Sequence, residues 1–167
     1  LTCILQQTPL SGSVAQPAAG NYSLNWTATN GGSFVGATNN LTPTVDAPGT
    51  YRLRITINQN GCTQVAQVLV NENVTPPVAV AAPAPAITCA QPQPSLSGTG
   101  SSVGTYVWSG PQVVSGGTSL TPVIGQPGPY ILLVTNPANG CTASASTTVI
   151  TNQTPPVVNL ATASPLT

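Results

Sequence analysis

Apolar and polar side chains alternate along Tyr51-Arg52-Leu53-Arg54-Ile55-Thr56-Ile57, a pattern that predicts a β-strand with one buried face. Successive side chains of a strand point to opposite faces, so the tyrosine, the leucine and the two isoleucines share one face. Asn60-Gly61 follows, and this dipeptide tolerates the positive φ that a tight hairpin turn requires. A second strand is therefore predicted from Cys62 to Val70.

The same arrangement recurs further along the chain. Tyr130-Ile131-Leu132-Leu133-Val134 precedes Asn139-Gly140, and a strand is predicted from Cys141 to Ile150. Further landmarks keep their order in both copies: Thr-Cys at 2 and 88, Trp at 26 and 108, Leu-Thr-Pro at 41 and 120, and Thr-Pro-Pro-Val at 75 and 154. The chain therefore holds two copies of one unit of about 80 residues.

Shorter strands are predicted upstream of the hairpin in each copy. They cover residues 9–14, 22–28 and 41–45 in the first copy, and 95–98, 105–109 and 120–124 in the second. Many short strands separated by regular turn signals are typical of a β-sandwich.

The repeat also predicts the domain boundaries: domain 1 over 1–76, domain 2 over 77–155, and a linker or donor strand over 156–167. Residues 77–88 form a Pro-rich linker and first strand for domain 2, and domain 1 lacks a counterpart. A spare copy of that strand, Val157-Val158-Asn159-Leu160, stands near the other end. This pattern fits a continuous covalent array, in which residue 168 would be Cys. It also fits strand donation between subunits, or a plain fragment.

Composition excludes several classes of function. Charged residues make up 2% of the 167 residues, and there is no His and no Lys. Acid–base catalysis and nucleophile activation need paired titratable groups, so no enzyme activity and no cofactor are predicted. Nucleic-acid binding needs clustered Lys and Arg, and a membrane-spanning helix needs about 18 consecutive apolar residues. Neither pattern is present in the sequence.

The segment Asp46-Ala47-Pro48-Gly49-Thr50-Tyr51 resembles the tyrosine corner of immunoglobulin-like (Ig-like) domains, and Trp26 and Trp108 resemble their core tryptophan. The order of motifs is similar to Ig-like and PKD-like repeats of secreted bacterial adhesins and extracellular filaments, especially of Bacteroidota type. The resemblance implies an all-β fold of two tandem Ig-like antiparallel β-sandwich domains, with Trp26, Trp108, Tyr51 and Tyr130 in the core.

Two positions depart from the Ig-like pattern. Leu53 and Leu132 stand where Ig domains carry a core disulfide cysteine, two residues after the tyrosine. Gly125 replaces the acidic residue that Asp46 provides at the first corner.

The four cysteines, Cys3, Cys62, Cys89 and Cys141, fall two per copy at equivalent positions. Three pairings exist, and the repeat favours Cys3–Cys62 and Cys89–Cys141. In an Ig-like sandwich the first strand can run parallel to the last, which would place each pair at one end of adjacent strands. Disulfides indicate an oxidising location, extracellular or at the cell surface. A metal site is not predicted, because the chain has no His and no C-x-x-C.

Several surface features suggest partners. Candidate N-glycosylation sequons occur at Asn21, Asn25, Asn40, Asn73 and Asn152, so glycans are candidate partners. Arg52 and Arg54 are expected on a solvated outer face, where the second copy has Ile131 and Leu133, a candidate association surface.

The sequence therefore predicts a structural segment of an extracellular filament or adhesin stalk that self-assembles head to tail. Its near-zero net charge favours association with copies of itself. The alternative is a carbohydrate- or receptor-binding module of a cell-surface adhesin. That alternative predicts an exposed aromatic cluster around Tyr106 or Phe34.

Overall fold

The computed structural model describes residues 1–15 and 21–160, and within these ranges the regular elements are all strands. The chain divides into two compact units. The first contains Leu1–Pro76 and Thr135–Thr142, and the second contains Pro77–Val134 and the described residues of Ala143–Thr167. The sequence did not predict that residues 135–142 would belong to the first unit.

The first unit contains two antiparallel sheets. Its strands are β1 (Thr8–Pro9), β2 (Tyr22–Thr29), β3 (Phe34–Val35), β4 (Thr44–Val45), β5 (Gly49–Ile57) and β6 (Thr63–Val70). One sheet has the order β2-β5-β6 and the other β1-β4-β3. Leu53 lies opposite Trp26 on one side and opposite Ala66 on the other, so these three side chains share the inward face.

The second unit repeats this plan. Its strands are β7 (Ile87–Thr88), β8 (Thr105–Ser109), β9 (Val113–Ser115), β10 (Val123–Ile124), β11 (Gly128–Thr135), β12 (Thr142–Val149) and β13 (Thr151–Asn152). The order β12-β11-β8 matches β6-β5-β2, and β9 pairs with β10. In addition, β7 pairs with β13 in parallel, as Thr2 pairs with Asn73 in the first unit.

The predicted strands over 9–14, 41–45, 95–98 and 120–124 are shorter in the structure. Pro43 and Pro122 lie in the middle of the segments 41–45 and 120–124 and have no N–H to donate to the strands that face them. Their carbonyls still accept hydrogen bonds from Leu10 N (2.8 Å) and Leu96 N (2.9 Å). The segments therefore pair irregularly, and Ser95 retains only an isolated bridge to Val123.

Each unit has its own core, to which both of its facing layers contribute. The first core consists of Leu10, Trp26, Val45, Tyr51 and Leu53. The second consists of Ile87, Leu96, Trp108, Ile124, Tyr130, Leu132, Val134 and Val149. Both tryptophans satisfy their indole N–H, with Trp26 Nε1 donating to Asn40 O at 2.9 Å and Trp108 Nε1 to Ser119 O at 3.1 Å.

Each unit also contains a tyrosine corner. Tyr51 Oη donates to Ala47 O at 2.6 Å and accepts from Ser33 N at 2.8 Å. Tyr130 Oη donates to Gln126 O at 2.7 Å and accepts from Gln112 N at 3.2 Å. These partners are backbone atoms, which explains why the second corner forms without an acidic residue. The predicted all-β fold of two tandem Ig-like antiparallel sandwiches is confirmed.

We expect Tyr130→Phe to destabilise the second unit more than Tyr106→Phe does. The Tyr130 hydroxyl is fully buried and contacts three backbone atoms, whereas the half-buried Tyr106 hydroxyl contacts Ser102 O alone. Leaving buried backbone groups unpaired costs about 1–3 kcal/mol. Guanidinium unfolding followed by tryptophan fluorescence measures the difference, and equal losses in the two variants would contradict the role given to the corner.

Candidate functional site

The two units differ in the exposure of the strand that follows the Asn-Gly turn. Along β12, the inward-facing Ala143, Ala145 and Thr147 are half-buried. Along β6, the equivalent Gln64, Ala66 and Val68 are exposed, and Val68 exposes 44% of its surface. The first unit therefore carries an open face where the second is covered.

The segment that covers the second unit is 78–84, part of the linker and first strand predicted from the sequence. Ala79, Ala81 and Ala84 pack against the second core. The backbone of the segment is held as well, since Ala82 N donates to Ser97 O at 2.8 Å and Val78 O accepts from Ser102 N at 2.9 Å. The segment is extended and hydrogen-bonded without forming a regular strand.

The open face of the first unit forms two adjoining grooves that share Ser13. One is lined by Gly12, Trp26, Tyr51, Leu53, Ala66 and Val68, and the other by Val14, Ile55, Ile57, Cys62 and Gln64. Ser11 and Gly12 are the repeat equivalents of Ser97 and Gly98. The grooves thus occupy the position that residues 78–84 fill in the second unit.

The predicted inter-repeat strand at 157–160 lies outside any regular element. Its apolar side chains face solvent: Val157 is 86% exposed, Val158 78% and Leu160 92%. By the offset of 79 these residues correspond to Val78–Ala81, the beginning of the covering segment.

The cysteine pairing predicted from the repeat is wrong. The disulfide joins Cys3 to Cys141, with a Cα–Cα distance of 5.1 Å, and Cys62 and Cys89 are exposed free thiols. The segment around Thr2 does run parallel to the chain that follows β6, as expected. However, Thr2 pairs with Asn73, which lies beyond the C-terminal end of β6. Cys62 lies just before the start of β6.

Strand length excludes the predicted pairs. The eight residues of β6 at about 3.3 Å each separate Cys62 from Asn73 by roughly 25 Å or more. A disulfide requires Cα atoms within about 7 Å. The second unit has the same geometry, because Thr88 pairs with Asn152 after β12 whereas Cys141 precedes β12.

Hydrogen bonds around the bridge hold the 135–142 turn in the first unit. Asn139 is 1% exposed, and its Nδ2 donates to Asn73 Oδ1 at 3.0 Å and to Thr75 O at 2.9 Å. Its Oδ1 accepts from Cys141 N at 2.9 Å, and its backbone oxygen accepts from Cys3 N at 3.1 Å. Sequence reasoning treated Asn139 only as a turn residue. The signal it missed is that Asn73 and Thr75 also recur in the repeat, as Asn152 and Thr154.

The remaining predicted features lie at the surface or in the cores. The sequon residues Asn21, Asn25, Asn40, Asn73 and Asn152 are all exposed, and the Asn73 side chain is already bonded to Asn139. Arg52 and Arg54 are exposed on the outer face of β5, and Ile131 and Leu133 are exposed at the equivalent positions of β11.

The aromatic residues are buried or half-buried in every case. Trp26, Tyr51, Trp108 and Tyr130 belong to the two cores. Phe34 packs edge-on against Trp26 and Tyr51, with ring centroids 6.4 and 5.1 Å apart. Tyr106 and Tyr22 are half-buried. The structure therefore does not bring the aromatic residues together as an exposed stacking platform.

Two further observations concern the described part of the chain. Within residues 1–15 and 21–160, no three His, Cys, Asp or Glu side chains come close enough together to hold a metal ion. Nor do these residues form a helix of the length and apolarity that a membrane crossing requires.

Comparison with known proteins finds similarity in solved structures only. No family model and no curated protein sequence matches the chain. The chain is similar to a chimeric titin Z1Z2-Z1Z2 tandem, with 11% identity over 87% of this chain and 85% of that one, at a TM-score of 0.32. Immunoglobulin domains 1–5 of Sidekick-1 match at 12% identity and a TM-score of 0.33, over 80% of this chain and 33% of that one. Chicken VE-cadherin EC1-2 matches at 8% identity and a TM-score of 0.37, over 87% and 91%. The fold assignment rests on the strand order and tyrosine corners of the chain itself.

We expect the double variant Cys3→Ser/Cys141→Ser to unfold at a lower guanidinium concentration than the wild type. The double variant Cys62→Ser/Cys89→Ser should unfold at the same guanidinium concentration as the wild type. The bridge joins residues 138 positions apart, and closing so long a loop is worth up to about 5 kcal/mol in the chain-entropy estimate. The measurement uses dilute monomer without reductant. Equal stability of both double variants, or a Cys3–Cys62 peptide in a non-reducing digest, would refute the observed pairing.

Proposed function

We propose that the protein is a structural subunit of an extracellular filament or adhesin stalk, and that it assembles head to tail by donating residues 157–160 to the open face of the next copy. The observation that carries this proposal is the contrast between the two units. The same sheet face is covered by residues 78–84 in the second unit and exposed in the first.

The repeat supplies the orientation of the donated segment. Ala79 and Ala81 point at the second core, and their equivalents are Val158 and Leu160. Val157 corresponds to Val78, which is 57% exposed. In the proposed complex Val158 and Leu160 therefore enter the groove beside Ala66 and Val68, while Val157 stays in solvent. Burying one such side chain contributes about 1.5–3 kcal/mol.

Charge and covalent chemistry support the same function. The chain has a formal net charge of zero from two basic and two acidic residues, so copies approach without long-range repulsion. The Cys3–Cys141 disulfide is the kind of bond that persists in an oxidising compartment, which supports a location outside the cytoplasm. A carbohydrate-binding role has less support, because the aromatic side chains are engaged in packing.

We expect Leu160→Asp to abolish self-association and Val157→Asp to leave it intact. Each variant adds one negative charge to the same segment, but only the Leu160 side chain would be buried in the groove. Light scattering coupled to size exclusion, over a series of concentrations, measures the mass of the particles. Loss of association in both variants would indicate a charge effect rather than strand donation, and monomeric wild-type protein would overturn the proposed function.

A further inference from the structure

The two free thiols occupy the repeat positions of the two bonded cysteines. Cys62 is equivalent to Cys141, within Asn-Gly-Cys-Thr, and Cys89 is equivalent to Cys3, after a threonine. Both free thiols are exposed. One copy of the chain therefore carries one complete disulfide joint and the two separate halves of a second one.

The first half is the turn that bears Cys62, and its backbone matches the bonded turn. Ile57 N donates to Cys62 O at 2.9 Å, as Asn136 N does to Cys141 O at 2.9 Å. Gly61 and Gly140 have φ of 70° and 69°, a left-handed conformation that favours glycine. Cys62 N donates to Asn60 Oδ1 at 3.0 Å, as Cys141 N does to Asn139 Oδ1. The unbonded turn is thus already in the conformation of the bonded one.

The second half is the segment that bears Cys89, and it matches the segment around Cys3. Thr88 N donates to Gln91 O at 3.1 Å and Gln91 N to Thr88 Oγ1 at 3.0 Å. Thr2 and Leu5 make the same two bonds at 2.9 and 3.0 Å. Thr88 pairs in parallel with Asn152, as Thr2 does with Asn73.

The groups that hold Asn139 also have equivalents. Asn139 Nδ2 donates hydrogen bonds to Asn73 Oδ1 and Thr75 O. The repeat equivalents of these two acceptor residues are Asn152 and Thr154, and both are exposed. Asn60, the counterpart of Asn139, is exposed as well. Burying this asparagine on its acceptors would align the two sulfur atoms, as it does in the first unit.

We propose that Cys89 of one copy forms a disulfide with Cys62 of the next copy. In this contact the side-chain amide of Asn60 of the second copy donates hydrogen bonds to Asn152 and Thr154 of the first. The inference rests on the proposed head-to-tail association and identifies a disulfide that would covalently link neighbouring copies. Because the two thiols of one copy bond to different neighbours, the bond propagates as a chain and does not close a symmetric dimer.

The reaction is an oxidation and needs a small-molecule disulfide, such as oxidised glutathione, as the electron acceptor. The Cys62 thiolate attacks that disulfide, forms a mixed disulfide and releases one reduced thiol. The Cys89 thiolate of the other copy then attacks the Cys62 sulfur of the mixed disulfide, forms the Cys62–Cys89 bond and releases the second small-molecule thiol. Two protein thiols are oxidised, one small disulfide is reduced, and the two protons leave on the released thiols.

Complementary single-cysteine variants test the proposal. Cys62→Ser retains only the Cys89 thiol and Cys89→Ser only the Cys62 thiol, while both keep the Cys3–Cys141 bridge. In a buffer of oxidised and reduced glutathione, we expect each variant alone to remain monomeric on a non-reducing gel. An equimolar mixture should give a covalent dimer, and a peptic digest should contain a Cys62–Cys89 peptide pair. Dimers formed by either variant alone, or no dimer in the mixture, would overturn the proposal.

The contribution of the asparagine is tested in the same mixture. Asn60→Asp keeps the oxygen that accepts from Cys62 N and removes the donor that would reach Asn152 and Thr154. Asn58→Asp adds the same charge in the same turn. We expect the first change to slow dimer formation at least tenfold and the second to leave it unchanged, and equal rates would overturn the role of Asn60.

A control without free thiols, which keeps the Cys3–Cys141 bridge, separates this inference from the proposed function. Light scattering of Cys62→Ser/Cys89→Ser reports association without the bond. If that variant associates while the mixture of single variants gives no dimer, the disulfide is refuted and the head-to-tail association stands. If it stays monomeric and no dimer forms, both are refuted.

Discussion

The apolar face of a β-sheet is stabilised when another segment packs on it and removes it from water, and both units of the chain are built around this requirement. In the second unit, three small alanines of the 78–84 segment pack against the core to which β11 and β12 contribute. In the first unit the equivalent face, beside β5 and β6, exposes Ala66 and Val68. Among the described residues, the same fold is thus present once with a covering segment and once without one, and the proposed assembly follows from that difference.

The contacts around the Cys3–Cys141 disulfide within one chain are the pattern for a second component of the proposed association. A buried asparagine, Asn139, is satisfied by the turn backbone and by Asn73 and Thr75, so its position is fixed by directional bonds. Apolar burial supplies affinity but little directional specificity. In the proposed contact, hydrogen bonds to one amide group would supply the register, and a disulfide would make the link covalent. The residues that would supply all three recur at equivalent positions in the repeat, and this recurrence supports the proposed periodic assembly.

Much of the fold could be predicted from the sequence because local pattern determines it. The alternation over 51–57 and the Asn-Gly turn predict β5, the hairpin and β6, and the repeat transfers the prediction to β11 and β12. The strands over 41–45 and 120–124 were predicted too long, because Pro43 and Pro122 interrupt their ladders. The disulfide pairing was predicted wrongly because it depends on whether Thr2 pairs before or after β6. That pairing joins residues far apart in sequence, so no local pattern predicts it. The burial of Asn139 was missed for the same reason, since its partners lie far away in sequence.

Electron cryomicroscopy of the concentrated protein distinguishes strand donation from every other arrangement. If residues 157–160 are donated, the maps show a linear assembly in which density for these residues of one copy lies on the first unit of the next, beside Gly12 and Val68. Single particles of monomer mass, or an assembly in which residues 157–160 stay in solvent, would contradict strand donation.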